Sequence, residues 1–178
     1  MNQTNTLVAF LEKIRSSDGN VRLATWRAAG PMGAPAVAPL GDLMAGEDKG
    51  VAKAAKMALT AIVHHAARPG AAEEARAVAA ELLKLSRSDR SVAMRREVVY
   101  LLGFIGSGPT VADLASLLGQ ADLRDEARMA LERIPGSASL NALKKALKTA
   151  PADFRPALEQ SIRNRAYTPK TVGTIASR

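Results

Sequence analysis

Two stretches of this chain lie over one another residue for residue: NVRLATWRAAGPMG at 20–33 and AMRREVVYLLGFIG at 93–106. Each places an apolar residue first, then Arg, then small or apolar residues, then Gly-x-x-Gly. With Val21 and Met94 as position 0, Gly30 and Gly103 fall at +9, and Gly33 and Gly106 at +12. The same register finds copies starting at Val51, Leu123 and Phe154, so the starts lie 30, 43, 29 and 31 residues apart. Arg stands at +1 in four of them, as Arg22, Arg95, Arg124 and Arg155, while the Val51 copy has Ala52 there and Lys53 beside it. A period of this size constrains the fold strongly. One unit cannot bury its apolar face alone, so it must stack on its neighbours.

Each copy reads as a helix. Asp18, Asp48, Asp89, Asp122 and Asp153 lie just upstream of the five starts, where a carboxylate accepts the unpaired amides of a first turn. Between the copies run TLVAFLEKI, APAVAPLGDLM, AEEARAVAAELLKL, TVADLASLL and SLNALKKALK. These also space their apolar residues at helical intervals, as in Leu114, Leu117 and Leu118. Gly and Pro punctuate the junctions at 33–35, 69–70, 108–109 and 135–136. The chain therefore parses into five helix pairs, at about 4–31, 34–67, 70–106, 108–134 and 137–166, with no β pattern competing. Composition agrees: apolar residues make up 47%, largely Ala, Leu and Val, and aromatics only 3%. Small side chains and good helix formers suit closely packed helical layers.

The segment GFIGSGP at 103–109 invites a phosphate-loop reading. Such a loop needs a strand before it and Gly-Lys-Ser/Thr opening the next helix. Here a helix precedes, no Lys follows, and Pro109 fits the first turn of the next helix. The glycines at 30, 33, 103 and 106 are expected to allow positive φ at helix C-caps.

The pattern of Asp, Val-Arg, Ala, Gly-x-x-Gly and a following Ala-Val-x-x-Leu resembles the HEAT-like repeat, in the short form of the phycobilisome-lyase type. The resemblance spans roughly residues 4–166. It implies an all-α, right-handed α-α superhelix of the HEAT/armadillo solenoid kind, with about five helix pairs filling 1–166. It also implies ladders of neighbouring Asp and Arg, here Asp18/Arg22, Asp122/Arg124 and Asp153/Arg155. The lyase name travels with the repeat type and assigns no activity.

In such an array positions 0, 4, 7, 8 and 11 should face the core, which selects Val21, Ala28, Val51, Leu59, Val98, Leu102, Ala127, Leu131 and Ile162. Positions 2, 5, 6 and 9 should look out over a shared concave face. The candidate partner-binding residues there are Trp26, Arg27, Lys53, Lys56, Met57, Arg96, Tyr100, Arg128 and Met129. Trp, Tyr and Arg are enriched at binding hot spots, and Met adapts to irregular partners. In the alternative, Trp26 and Tyr100 pack against adjacent repeats and the cations are merely solvated.

The expected function is a non-enzymatic scaffold for a protein or peptide. The second reading is nucleic-acid binding, because the net charge is +8 and the pI about 10.2. Similarity in architecture to alkylpurine DNA glycosylases would make Asp125 an essential acid, although it reads equally as a first-turn carboxylate. No cofactor or metal is expected: there is no Cys, and the two histidines, His64 and His65, are adjacent and so point about 100° apart on a helix. No apolar run approaches the roughly 20 residues that span a bilayer, and the first residues do not read as a signal peptide. Membrane insertion is not expected, and the cytoplasm is the expected location. Residues 167–178 lose helical periodicity and read as a tail or cap, with Tyr167, Val172 and Ile175 as its apolar contacts.

Overall fold

The protein is described by a computed structural model over residues 3–166. The tail or cap expected at 167–178 lies outside the described residues. Among the described residues there are ten α-helices and no strand. They are α1 (Gln3–Ile14), α2 (Gly19–Arg27), α3 (Val37–Met44), α4 (Lys49–Ala66) and α5 (Ala72–Ser86), followed by α6 (Val92–Ile105), α7 (Gly108–Leu117), α8 (Arg124–Arg133), α9 (Ser137–Thr149) and α10 (Arg155–Ala166). Two 3-10 turns, Gly30–Met32 and Ala34–Ala36, join α2 to α3. No described helix is long and apolar enough to cross a membrane.

Each odd-numbered helix packs on the even one that follows it. The even helices also touch in series, α2 with α4, α4 with α6, α6 with α8 and α8 with α10. In the other layer α3 meets α5 and α7 meets α9. The interval of 43 residues between the Val51 and Met94 copies is filled by the two longest helices, α4 with 18 residues and α5 with 15.

The core register survives in four copies out of five. Leu59, Val98, Leu102, Ala127 and Leu131 are buried, and Val51 and Ile162 are half-buried against the core. Val21 is half-buried. Ala28 is exposed, contrary to the expectation. The reason is local: α2 stops at Arg27, Ala28 becomes its C-cap, and the next residue, Ala29, takes the buried place.

The caps are mixed. Asp18 accepts the Asn20 amide at 2.8 Å, and Asp48 accepts those of Gly50 and Val51 at 2.8 and 3.0 Å. Those two amides, Val51 foremost, hold the Asp48 carboxyl below its usual range, with Arg22 adding attraction. Asp89 does not cap; Ser91 does, accepting from the Met94 amide at 3.3 Å. Asp122 is likewise not the N-cap of α8, a position held by Leu123.

Among the described residues the expected pairs within a copy form no ion pair, and one ladder contact runs between copies. Arg124 Nη2 reaches Asp153 Oδ2 at 2.5 Å, in the next pair of helices, and this bond holds the Asp153 carboxyl low. Arg22 donates to the Ser16 and Ser17 carbonyls at 2.6 and 3.1 Å, while its guanidinium lies close to Gly50 and Asp48. Arg95 donates to Ser86 O at 2.8 Å and Arg155 to Ala150 O at 3.0 Å. Arg at +1 thus satisfies carbonyls left open just past α1, at the end of α5 and just past α9, which lack intrahelical partners. Beside Arg22, the Asp18 carboxylate is already occupied by the Asn20 amide of its own helix.

Three of the four motif glycines are not positive-φ caps; among them only Gly33 has positive φ, at 59°. Gly103 lies inside α6, where a Cβ would stand 2.9 Å from the Ala130 Cα of α8. At Gly106 a Cβ would stand 2.5 Å from Ile134 Cδ1. Gly103 is small because the α8 backbone approaches it, and Gly106 because the Ile134 side chain fills the space beside it; GFIGSGP is the junction of α6 and α7. Ser107 opens α7 with its amide donating to Thr110 Oγ1 at 2.7 Å, and Pro109 sits in the first turn.

Candidate functional site

The outward strip of the even helices follows the expected register only in part. Positions 2 and 6 are exposed or half-buried, as expected: Lys53, Arg96 and Asp125 at +2, and Arg27, Met57, Tyr100 and Met129 at +6. Position 5 divides: Lys56 and Glu159 are exposed, whereas Val99 and Arg128 turn toward neighbouring helices. Val99 is buried there, and the Arg128 side chain is 16% exposed. Position 10 comes to the surface, bringing in Phe104 and Arg133, and the half-buried Glu97 and Glu126 at position 3 border the strip.

Arg128 serves the fold rather than the open strip. Its Nη1 donates to Ser161 Oγ at 2.7 Å and lies 3.4 Å from Glu132. Ser161 in turn donates to Glu132 at 2.6 Å, and the Asn164 amide to the same carboxylate at 2.7 Å. This network ties α8 to α10. Asp125 sits in the first turn of α8, 56% exposed and 3.7 Å from Arg128 Nε.

Trp26 is half-buried against the core with the Arg27 guanidinium 5.6 Å from its ring centre. Lys53 is exposed and, among the described residues, forms no ion pair. Two of the other cations, Lys56 and Arg96, are matched across the helix boundaries. Lys56 Nζ of α4 meets Glu97 of α6 at 2.7 Å, and Arg96 Nε of α6 meets Glu126 of α8 at 3.7 Å. Arg96 also donates to the Asp122 carbonyl at 2.7 Å. In both pairs the carboxylate is the deeper partner: Glu97 and Glu126 are 20% and 19% exposed, against 49% for each cation.

Arg96, Glu97, Tyr100, Glu126 and Met129, with Ala93, line a hollow of about 270 Å³ between α6 and α8. Three residues chosen from the sequence therefore meet in one place: Arg96, Tyr100 and Met129. Above it, toward the C-terminal ends of these helices, runs an aromatic row. His64 and Phe104 meet edge to face at 5.5 Å, and Phe104 and Tyr100 do so at 5.3 Å. The Arg133 guanidinium lies 4.5 Å from the Tyr100 ring centre and 5.0 Å from that of Phe104. Phe104, Arg133 and His64 were not selected from the sequence. The signal was present, since Phe104 and Arg133 hold the same +10 position in consecutive copies.

The histidines diverge, as adjacency requires. His64 joins the aromatic row, whereas His65 points to the other side, where a Cβ on Gly30 would meet it at 2.9 Å. Larger hollows lie away from the strip. One of about 780 Å³ separates α7 and α9, floored by Phe154 and Leu158. Another of about 610 Å³ lies beside the 3-10 turns, near the Arg68–Glu74 ion pair.

Fold and site together define an all-helical protein in which a strip of paired charges surrounds aromatic and thioether side chains. No protein-family model matches the chain, and no curated protein matches it in sequence. Among solved structures, a crystal structure of an engineered protein is similar to it at 21% identity, covering 90% of this chain and 79% of that one, with a TM-score of 0.45.

Proposed function

We propose that the chain is a non-enzymatic binding scaffold, a short right-handed HEAT-like superhelix of five helix pairs. Its concave face is the one built by α2, α4, α6, α8 and α10, and its partner is a protein or peptide. The repeat register and the serial contacts of the even helices support the solenoid reading. The observation that carries the functional reading is the charge matching around the Tyr100–Met129 hollow. Lys56 and Arg96 are each held by a carboxylate of the next helix. A track for phosphates needs cations available to replace released counterions. Here two of the expected cations are already paired, and Arg128 is drawn into the contact with α10. What remains is a polar rim around Tyr, Met and Phe side chains, the usual composition of a protein-recognition surface.

Nucleic-acid binding through the same face is the competing reading. It rests on the net charge of +8 and on Arg27 and Lys53, for which no ion pair exists among the described residues. Selection of peptides from a displayed library against the protein tests the first reading. Selected peptides should lose about tenfold or more in affinity with Tyr100→Ala or Met129→Ala, as for central interface residues. Peptides indifferent to both substitutions would place the binding face elsewhere.

A further inference from the structure

Arg133 is exposed, yet its guanidinium is held in place on three sides. Tyr100 and Phe104 lie under it at 4.5 and 5.0 Å. Gly103 supplies the third side, because a Cβ there would stand 3.1 Å from Arg133 Nη1. Among the described residues Arg133 forms no ion pair and donates to no acceptor, whereas Lys56, Arg96 and Arg128 on the same face all do. A guanidinium carries five N–H donors in a planar fork that matches a carboxylate in bidentate fashion. Contact with both rings restricts the guanidinium in advance, so less side-chain freedom is lost when the fork is filled. Beside it Phe104 leaves a 38% exposed aromatic surface, which His64 borders.

We infer that Arg133, with Phe104 and Tyr100, forms an anchor for a carboxylate of a bound peptide, an Asp or Glu side chain flanked by an apolar residue that covers Phe104. The inference rests on the proposed scaffold reading and names what that face selects. Charge complementarity chooses the anion. The neighbouring hollow chooses peptide over nucleic acid, because Lys56 and Arg96 beside it are already paired with Glu97 and Glu126 and leave no continuous run of cations for phosphates. A single carboxylate placed on Arg133 needs no such run.

The test is a nuclear magnetic resonance titration of the whole protein with two acetylated, amidated peptides. They share the sequence Ala-Leu-Xaa-Leu-Ala and differ only in Glu or Gln at the centre. The Glu peptide should move the Arg133 Nε–Hε signal and the Phe104 ring signals, and should bind about tenfold more tightly than the Gln peptide, the gain of a charge-assisted bidentate bond. Arg133→Lys keeps the charge but loses the fork and the stacking, and should erase most of that preference while leaving the melting temperature unchanged. Equal binding of the two peptides, or an undiminished preference in Arg133→Lys, overturns the inference. Peptides that move Trp26, Met57 or Met129 signals without Arg133 overturn it alone and leave the scaffold reading standing. No response anywhere on the even helices overturns both. A response of Arg133 to a duplex oligonucleotide and not to the Glu peptide also overturns it, in favour of a phosphate ligand.

Discussion

At the scale of single residues, the consequential choices are those where a side chain is absent or already occupied. Gly103 costs α6 about 1 kcal/mol of helix propensity relative to Ala. Its position is nevertheless fixed by the Ala130 Cα, which would lie 2.9 Å from an added Cβ. Gly103→Ala should therefore destabilise the protein by about 1–3 kcal/mol, the usual cost of overpacking, despite the better propensity. Thermal or urea unfolding reads this directly, and a neutral or stabilising result would mean that α6 and α8 can separate freely. The capping and ladder carboxylates make a second prediction. Asp48 and Asp153 both have folded values below the ordinary 3.8. Their contribution is therefore complete above that value and is lost as pH falls through the lowered folded values. Asp153→Asn should lower the melting temperature at about pH 7, and its difference from the parent protein should shrink as pH drops below about 4. A difference that stays constant with pH would remove the Arg124 bond as its cause.

At the scale of helices, the contact of α10 with the rest rests on the network of Arg128, Glu132, Ser161 and Asn164. Ser161 is fully buried, so its hydroxyl has no water to fall back on. Arg128→Met should cost about 1–3 kcal/mol by leaving Ser161 and Glu132 short of a donor. It should also raise amide exchange in α10 more than in α4, as expected for a terminal element held by few contacts. Uniform exchange across both helices would contradict that. The same network shows where sequence reasoning stops. Helix positions were legible: the stretch 72–85 became α5 (Ala72–Ser86), and 110–118 became α7 (Gly108–Leu117). So was the core face, because apolar spacing records burial directly. Which residues at the margin of the outward strip reach solvent was not legible. Amphipathicity defines the buried side of a helix, but an Arg at its margin can either reach solvent or bend to a neighbour. Arg128 bends to Ser161, and only the position of α10 decides that. Arg133 and Phe104 escaped notice for the complementary reason. Their contact joins position +10 of two copies, which was not among the positions expected to face outward.

At the scale of the molecule, a chain with net charge +8 presents a face on which Lys56, Arg96 and Arg128 are paired internally. Net charge is a property of the sum, while recognition depends on which cations remain available. Duplex DNA binding should consequently be weak and steeply salt-dependent. The measurement that tests this most directly is a paired anisotropy titration at about 50 and about 200 mM salt, with labelled duplex DNA on one side and a library-selected peptide on the other. The account predicts that DNA binding is lost at the higher salt, while the peptide retains its affinity and loses it with Tyr100→Ala. DNA binding that survives the higher salt and fails in Lys53→Glu/Arg96→Glu would contradict it, and would make this face a nucleic-acid surface.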